Sequence, residues 1–186
     1  LKTTPPGAVV DEEEAKRIVG VYRTKNHAVI DLWREGDEAI ATLANWGNTK
    51  PFYYGQNQCL VVEEQGIRLP NGLYIRYAGL KYDTSEAKGK YVYFSRKGPV
   101  SLWGGTLVEN VVQALARIVV GQQMLQIKKR YPVKLTVHDA AVVVVPEAEK
   151  DEALQFVIDC MSVPPDWCKS LPVACEAKFA QSYGEC

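Results

Sequence analysis

The sequence predicts an α+β fold in which helices pack on one face of an antiparallel sheet. The second half of the chain is expected to run helix, strand, strand, helix, strand, and only His138 and Asp139 separate the first two strands. Both flanking runs are short, rich in β-branched residues and bounded by Pro132 and Pro146, which is typical of strands. Strands this close in sequence pair as a hairpin, and the neighbouring helices supply the layer that covers it.

The N-terminal part is predicted to be helical over residues 11–43, with a break at Asn26-His27. Residues 11–14 are all acidic, and an acidic first turn suits the positive end of a helix dipole, so this run needs no binding role. Apolar side chains then recur at helical spacing, at Ala15, Ile18, Val19, Tyr22, Val29, Ile30 and Trp33.

The middle of the chain is predicted to form short strands at residues 59–62, 66–69, 73–77 and 91–95. Residues 70–72, Pro-Asn-Gly, form a turn between two of them. Residues 46–58 are predicted as a loop rich in aromatic residues and glycine, and the polar residues 83–90 as a loop tip.

The C-terminal half is predicted to contain two helices and a last strand. Gly104-Gly105-Thr106 opens a helix that runs to residue 129 and ends in a basic turn, which suits a helix C-terminus. Residues 147–161 form the next helix, which Pro164-Pro165 ends. Residues 171–180 are expected to be a closing strand.

Composition is that of one globular domain without a membrane segment. The 186 residues are 47% apolar and 24% charged, and no apolar run approaches the roughly 18 residues that a membrane span needs. The first residues lack a basic-then-apolar segment, so we expect no secretory signal and a cytoplasmic protein. Because the chain starts at Leu1 rather than at a methionine, we expect a piece of something longer.

Charge and cysteine content exclude several classes of site. The 22 basic and 22 acidic residues cancel, which argues against a generic polycation for nucleic acid. Residues 68–97 nevertheless carry seven basic and two acidic side chains, a local charge of +5. The five cysteines are odd in number and lack a C-x-x-C pair, so neither a zinc site nor a disulfide framework is indicated.

The predicted hairpin tip is the strongest candidate for chemistry. Tight hairpins usually place Gly or Asn at the tip, because the favoured turns need positive φ, whereas this tip holds His138 and Asp139. A carboxylate at the end of an apolar ribbon costs desolvation energy unless a cation meets it. A metal ion is one such cation, and a salt-bridged structural turn is the alternative. Ions of the Mg²⁺ type take several oxygen ligands, and no second carboxylate is tied to Asp139 by spacing.

The predicted helix over residues 106–129 has an apolar stripe and a polar face. The stripe consists of Leu107, Val111, Leu115 and Ile118, whereas Asn110, Gln113 and Arg117 share another face. Amide side chains both donate and accept, which suits base edges in a minor groove. An ordinary solvent-exposed face explains the same spacing.

Four segments resemble parts of family A (Pol I-like) DNA polymerases of bacteriophage type, and they follow one another in the same order as in that family. Residues 136–139, Thr-Val-His-Asp, with the valine run after them resemble motif C, and residues 103–117 are similar to the segment before it. Residues 13–33 are similar to the helices after the fingers motif, and residues 171–185 to phage polymerase C-termini. The resemblance implies a palm-like antiparallel sheet preceded by a helical segment from the fingers. It divides the chain into a post-fingers segment (1–58), a β-rich connection (59–100) and a palm portion with motif C (101–186).

The resemblance also implies a role for each candidate residue. Asp139 would be one of two carboxylates that hold Mg²⁺ ions during nucleotidyl transfer from a dNTP to primer–template DNA. His138 would contact phosphate near the primer terminus, and Gln113 the minor groove at the new base pair. Asn110 and Arg117 would assist from the same helix.

Departures from the family pattern predict an incomplete enzyme. Ala140 follows His138-Asp139 where many relatives carry an acidic residue, and Ile118 stands where relatives often have Asp. The motif A aspartate and the fingers motif are absent, so the second carboxylate and the fingers would belong to a separate N-terminal polymerase portion. The chain alone would be inactive.

The sequence leaves two other functions open. A non-catalytic nucleic-acid-binding module would use the +5 segment and the aromatic residues of the 46–58 loop to stack on single strands. A degenerate polymerase remnant would fold without any activity.

Overall fold

The computed structural model describes residues 10–55, 58–85 and 88–185, and it has four helices and nine strands in this part of the chain. The helices are α1 (Glu12–Lys25), α2 (His27–Ala44), α3 (Gly104–Ile127) and α4 (Lys150–Met161). The strands are β1 (Phe52–Tyr54), β2 (Leu60–Glu63), β3 (Gly66–Arg68), β4 (Tyr74–Ile75), β5 (Lys81–Asp83), β6 (Lys90–Ser95), β7 (Gly98–Leu102), β8 (Val133–Val137) and β9 (Ala140–Val143). They form three antiparallel sheets, β1-β2-β3-β4, β5-β6-β7 and β8-β9. The predicted α+β class with antiparallel pairing is confirmed.

Two compact units divide the chain, and α3 begins in one and continues in the other. The first unit contains Tyr77–Val108 with the described part of Leu1–Thr49, and the second contains Lys50–Arg76 with Glu109–Cys186.

In the first unit, the sequence marks both ends of α1. The Asp11 carboxylate accepts a hydrogen bond from the Glu14 backbone N–H at 2.8 Å, and Glu12 to Glu14 form the acidic first turn. The predicted break is confirmed at Asn26, whose backbone N–H and side-chain amide both donate to the Tyr22 carbonyl at 2.9 Å. No residue of α1 is buried, whereas α2 buries Gly36, Ala39 and Ile40.

The predicted glycine start of α3 has a packing reason in the same unit. The Gly104 backbone N–H donates to the Asp37 carboxylate of α2 at 2.6 Å, which caps the first turn of α3. The Trp33 and Trp103 rings pack edge to face beside this contact, with centroids 5.4 Å apart. A Cβ on Gly104 would collide with the Trp33 carbonyl, so this close approach requires glycine.

In the second unit, the four-stranded sheet has one apolar and one polar face. The apolar face buries Tyr54, Leu60, Val62 and Ile67. A cross-strand row on the other face runs through Tyr53, Val61, Arg68 and Tyr74. The Glu63 carboxylate lies on that face too, where it accepts from the Tyr74 hydroxyl and, at 2.8 Å, from Arg68 Nε.

Several predicted elements need correction. Residues 52–54 of the predicted 46–58 loop form β1, because they pair with β2. The sequence prediction also missed β5 and β7, which pair with the two sides of β6. Residues 171–180 are not a strand, because no described strand pairs with them. The predicted tip at 83–90 includes the end of β5, and its residues 86–87 lie outside the described residues, as do 56–57 and the first nine.

Neither a membrane span nor a disulfide is found in the described part of the chain. None of its helices has the length and hydrophobicity that crossing a membrane requires. Cys59, Cys160, Cys168 and Cys175 are free, and Cys186 lies outside the described residues. Burial raises the pKa of the Cys59, Cys160 and Cys175 thiols, which makes them poor nucleophiles at neutral pH.

Candidate functional site

The predicted hairpin forms, with His138 and Asp139 at its tip. Strands β8 and β9 pair antiparallel, and the pair Val137 and Ala140 closes a two-residue turn. His138 has a φ of 53°, in the left-handed region that a two-residue hairpin turn uses. A side chain with a Cβ costs about 1–2 kcal/mol in this region. The tip therefore holds a strained histidine where glycine would be relaxed.

One face of this hairpin is anchored to a buried cluster. The cluster consists of Ile127, Tyr131, Ala153, Val157, Cys160 and Met161, from the end of α3, the following loop and α4. The half-buried hairpin side chains Val133, Ala141, Val143 and Val145 pack against it. Because the anchor involves alternate residues of β9, it fixes which side of the ribbon faces α4.

The other face of the hairpin is open. Leu135, which pairs with Val142, is 46% exposed, and Val144 is 63% exposed. A register shift lies beside this face, since Val133 pairs with Val143 but Leu135 pairs with Val142, which leaves Lys134 as a bulge. A bulge bends the strand and increases its twist.

Buried hydrogen bonds fix α3 to the segment that ends α4. Gln123 is only 5% exposed, and its side-chain amide donates to the carbonyls of Met161 at 2.7 Å and Val163 at 3.1 Å. Sequence reasoning missed this residue, because its pattern does not distinguish it from the exposed Gln122 beside it. Gln123 positions the helix against α4, on which the hairpin packs.

A polar cluster closes the loop between α3 and β8. The Tyr131 hydroxyl donates to the Glu149 carboxylate at 3.1 Å, and burial together with this bond raises the pKa of Tyr131. Arg130 pairs with Glu152 at 2.6 Å and lies over the Phe156 ring. Arg130, from the predicted basic end of the helix, therefore connects the loop after α3 to α4.

The polar residues predicted on α3 are accessible, and the predicted apolar stripe is largely buried. Leu107, Val111 and Ile118 are at most 8% exposed. Gln113 and Arg117 are exposed, whereas Asn110 is half-buried. The Gln113 amide donates to the Glu109 carboxylate at 3.3 Å, one helical turn away.

Strand β8 begins close in sequence to the end of α3. Only five residues separate the helix from β8, and a surface groove of about 500 Å³ lies between them. The groove is lined by Gly121, Met124, Leu125 and Lys128 of the helix side and by residues 133–136 of the strand. The residues that line this groove end at Gly121 on the helix and do not include Arg117 or Gln113. No described hydrogen bond or ion pair joins these two residues to His138 or Asp139.

The donor set at the tip does not by itself fit a Mg²⁺ ion. Both His138 and Asp139 are exposed, and no group of three His, Cys, Asp or Glu residues that could hold a metal occurs among the described residues. Asp139 offers one carboxylate, whereas Mg²⁺ takes six ligands in octahedral geometry. A metal site at this tip needs ligands from outside the described chain.

A phage DNA polymerase is similar to almost the whole chain. The DNA polymerase of Bacillus phage SP02 is 28% identical over 183 residues, a match that covers 92% of this chain and 28% of the phage protein. The chain therefore spans little more than a quarter of that polymerase. No protein-family model matches the chain, and no solved structure matches it significantly. The chain is related to a phage DNA polymerase.

Proposed function

We propose that this chain is the C-terminal palm portion of a family A DNA-directed DNA polymerase and acts in DNA replication in the host cytoplasm. The observation that carries the proposal is the His138-Asp139 tip. It is strained, exposed and held on an anchored hairpin, in a chain related to a phage DNA polymerase. Local strain that the surrounding packing maintains is typical of functional sites.

The proposed role of Asp139 is to supply one of the two carboxylates that hold Mg²⁺ when primer–template DNA and a dNTP are bound. Two such ions stabilise both the attacking and the leaving oxygens of nucleotidyl transfer. His138 contacts phosphate near the primer terminus. The Gln113 amide, which now donates to Glu109, reads the minor groove, with Asn110 and Arg117 beside it on α3.

A separate N-terminal polymerase portion supplies the second carboxylate and the fingers. Two observations support such a partner: one carboxylate does not fit the ion, and the chain covers only 28% of the related polymerase. The exposed apolar side chains Leu135 and Val144 leave one face of the hairpin open for a further segment to cover.

Primer extension with purified parts tests the proposal. The chain alone should give no extension, and mixing it with the N-terminal portion of the phage SP02 polymerase, or of the chain's own gene neighbourhood, should give Mg²⁺-dependent extension. Asp139→Asn should lower that rate by about 10³-fold, since a metal contributes several kcal/mol to such a transition state. Asp166→Asn, at an exposed aspartate of the same unit, is the matched control and should keep the wild-type rate.

Each contrary result points to a different conclusion. Restored extension that survives Asp139→Asn would show that the hairpin tip is not catalytic. DNA binding without extension in any mixture would favour the non-catalytic binding module, and a folded chain with neither property would be a polymerase remnant.

A further inference from the structure

The three-stranded sheet of the first unit presents a cationic surface that the proposed chemistry does not use. Its strands β5, β6 and β7 and the loops that join them carry five basic side chains, at Lys81, Lys88, Lys90, Arg96 and Lys97. Residues 77–102 contain two acidic residues, Asp83 and Glu86, so the local charge is +3. The surface therefore carries a strong local positive charge in a chain whose net charge is zero.

The tip of the β6-β7 hairpin concentrates two of these charges. The pair Ser95 and Gly98 closes a turn whose two tip residues are Arg96 and Lys97, both exposed. The Ser95 hydroxyl donates to the Gly98 carbonyl at 3.0 Å and accepts from the Lys97 backbone N–H at 3.1 Å. These bonds hold the turn, so the two cations project from a defined support.

The two tip cations, Arg96 and Lys97, are available to a partner. Within residues 10–55, 58–85 and 88–185, no carboxylate forms a salt bridge with Lys81, Arg96 or Lys97. Arg68 in the second unit differs, because Glu63 engages it. Phosphate is an anion that two adjacent exposed cations fit, since a DNA duplex carries a charge about every 1.7 Å along its axis.

The arrangement of the aromatic residues favours double-stranded over single-stranded nucleic acid as the partner of this sheet. Single strands bind to rings that stack successive bases on one platform. The two most exposed rings of this sheet, Tyr82 and Phe94, lie on its opposite faces, because Tyr82 pairs with Tyr91 whereas Phe94 is an odd number of residues away from Tyr91. Neighbouring groups already cover several rings. Tyr82 packs edge to face on Tyr91 and Tyr77 on Tyr93, and the Lys81 ammonium lies 5.9 Å from the centre of Phe94.

We propose that the β5-β6-β7 sheet docks on the phosphate backbone of duplex DNA through the Arg96-Lys97 turn, with Lys81 as a supporting contact. The choice of duplex as partner agrees with the primer–template of the proposed function but does not depend on catalysis. Binding here is independent of base sequence, because cations that contact phosphate carry no base information.

Fluorescence anisotropy with a labelled duplex tests this surface in the full chain. The double variant Arg96→Ala/Lys97→Ala should bind at least about tenfold more weakly at 0.1 M salt. The slope of log affinity against log salt should become shallower by about 1.8 for two lost phosphate contacts. The matched control Lys169→Ala/Lys178→Ala removes the same charge from exposed positions of the second unit and should keep both the affinity and the slope. Lys81→Gln should give a smaller loss than the double variant.

Three outcomes would overturn the inference. They are no measurable duplex binding by the wild-type chain, equal losses in the tip and control variants, or tighter binding to a single strand of the same length. Circular dichroism of each variant separates lost binding from lost folding. Because Asp139 is untouched here and primer extension is not measured, failure of this surface is distinguishable from failure of the proposed polymerase function.

Discussion

The β6-β7 hairpin of the first compact unit and the β8-β9 hairpin of the second both have two-residue tips, but they meet the same backbone requirement differently. In the β6-β7 hairpin the positive φ belongs to Gly98, at 113°, next to the cationic tip. In the β8-β9 hairpin it belongs to His138 itself, at 53°. The first turn places its conformational demand on a residue without a side chain, whereas the second places it on a residue proposed to bind phosphate.

The two hairpins also differ in how they are supported. The β8-β9 ribbon rests on the buried cluster around Ile127 and Val157. The β6-β7 hairpin is the longer one and gains a third strand, β5, on the free edge of β6. A strained tip persists only where its surroundings hold it, and the packing of alternate β9 residues on this cluster provides that support.

The largest expected effect comes from removing the support of the strained tip. Ile127 is fully buried, so Ile127→Ala should destabilise the second unit by about 2–5 kcal/mol through lost burial and a cavity. Urea denaturation measures the loss. Amide hydrogen exchange should accelerate in β8 and β9 but stay unchanged in β6 and β7.

Leu125→Ala is the control for this variant, because Leu125 lies on the same helix and is 61% exposed. It should change stability by no more than about 0.5 kcal/mol. Equal acceleration of exchange in both hairpins would contradict the separate support inferred for them.

The next largest effect comes from replacing the residue with positive φ in each of the two turns. Gly98→Ala should destabilise the chain by about 1–2 kcal/mol, because a Cβ is strained at this φ although no neighbouring atom blocks it. His138→Gly should stabilise the chain by about 0.5–1 kcal/mol through relief of the same strain, while it lowers primer extension in the reassembled enzyme. Denaturation curves of both variants give the two signs.

Gly20→Ala is the control for this exchange, since Gly20 lies within α1 with open space around it. It should stabilise the chain by up to about 1 kcal/mol, as expected for glycine replaced in a helix. Effects of the same sign for Gly98→Ala and His138→Gly would show that turn strain does not distinguish the two hairpins.

The smallest effect concerns Glu63, whose carboxylate pairs with Arg68, whereas Arg96 and Lys97 of the β6-β7 tip have no described carboxylate partner. Hydrogen bonds from Tyr74 and then Arg68 hold the pKa of Glu63 below its ordinary value of 4.5. A carboxyl group with a lowered folded pKa stabilises the fold above its unfolded pKa, and this contribution is lost as the pH falls through the folded pKa. Glu63→Gln should therefore slightly destabilise the chain at pH 7, and the difference should shrink as the pH falls below the ordinary value of 4.5 and through the lowered pKa of Glu63.

Thermal unfolding at a series of pH values measures this difference, with Glu64→Gln as the control. Glu64 is exposed beside Glu63, and no described side chain forms a salt bridge or hydrogen bond with its carboxylate. A pH-independent difference between Glu63→Gln and the wild type would rule out the ionised carboxylate as its cause. An equally large effect of Glu64→Gln would show that the effect is not specific to this ion pair.

Local signals in the sequence were enough to predict several elements. The Asn26 break, the start of α3 at Gly104 and the β8-β9 hairpin were all predicted, because capping groups, glycines and prolines act within a few residues. The hairpin prediction placed His138 and Asp139 together at an exposed tip. The roles of these residues, and those of Gln113, Asn110 and Arg117, stay predictions.

Strands that depend on a partner were the main failures. Strand β5 is short and polar, and β7 contains Pro99, so neither shows a strong strand pattern; each is a strand because β6 pairs with it. Residues 171–180 show the reverse case, an apolar pattern without a described strand to pair with.

The sequence by itself determined the α+β class, the ends of the helices and the position of the His138-Asp139 tip, because these depend on neighbouring residues. Only the tertiary structure decided that His138 adopts a positive φ, that Gln123 is buried and bonded to Met161 and Val163, and that Arg96 and Lys97 project from a paired turn without a described carboxylate partner. The physical reason is that burial, register and charge pairing are set by groups distant in sequence, whose positions a local pattern does not contain.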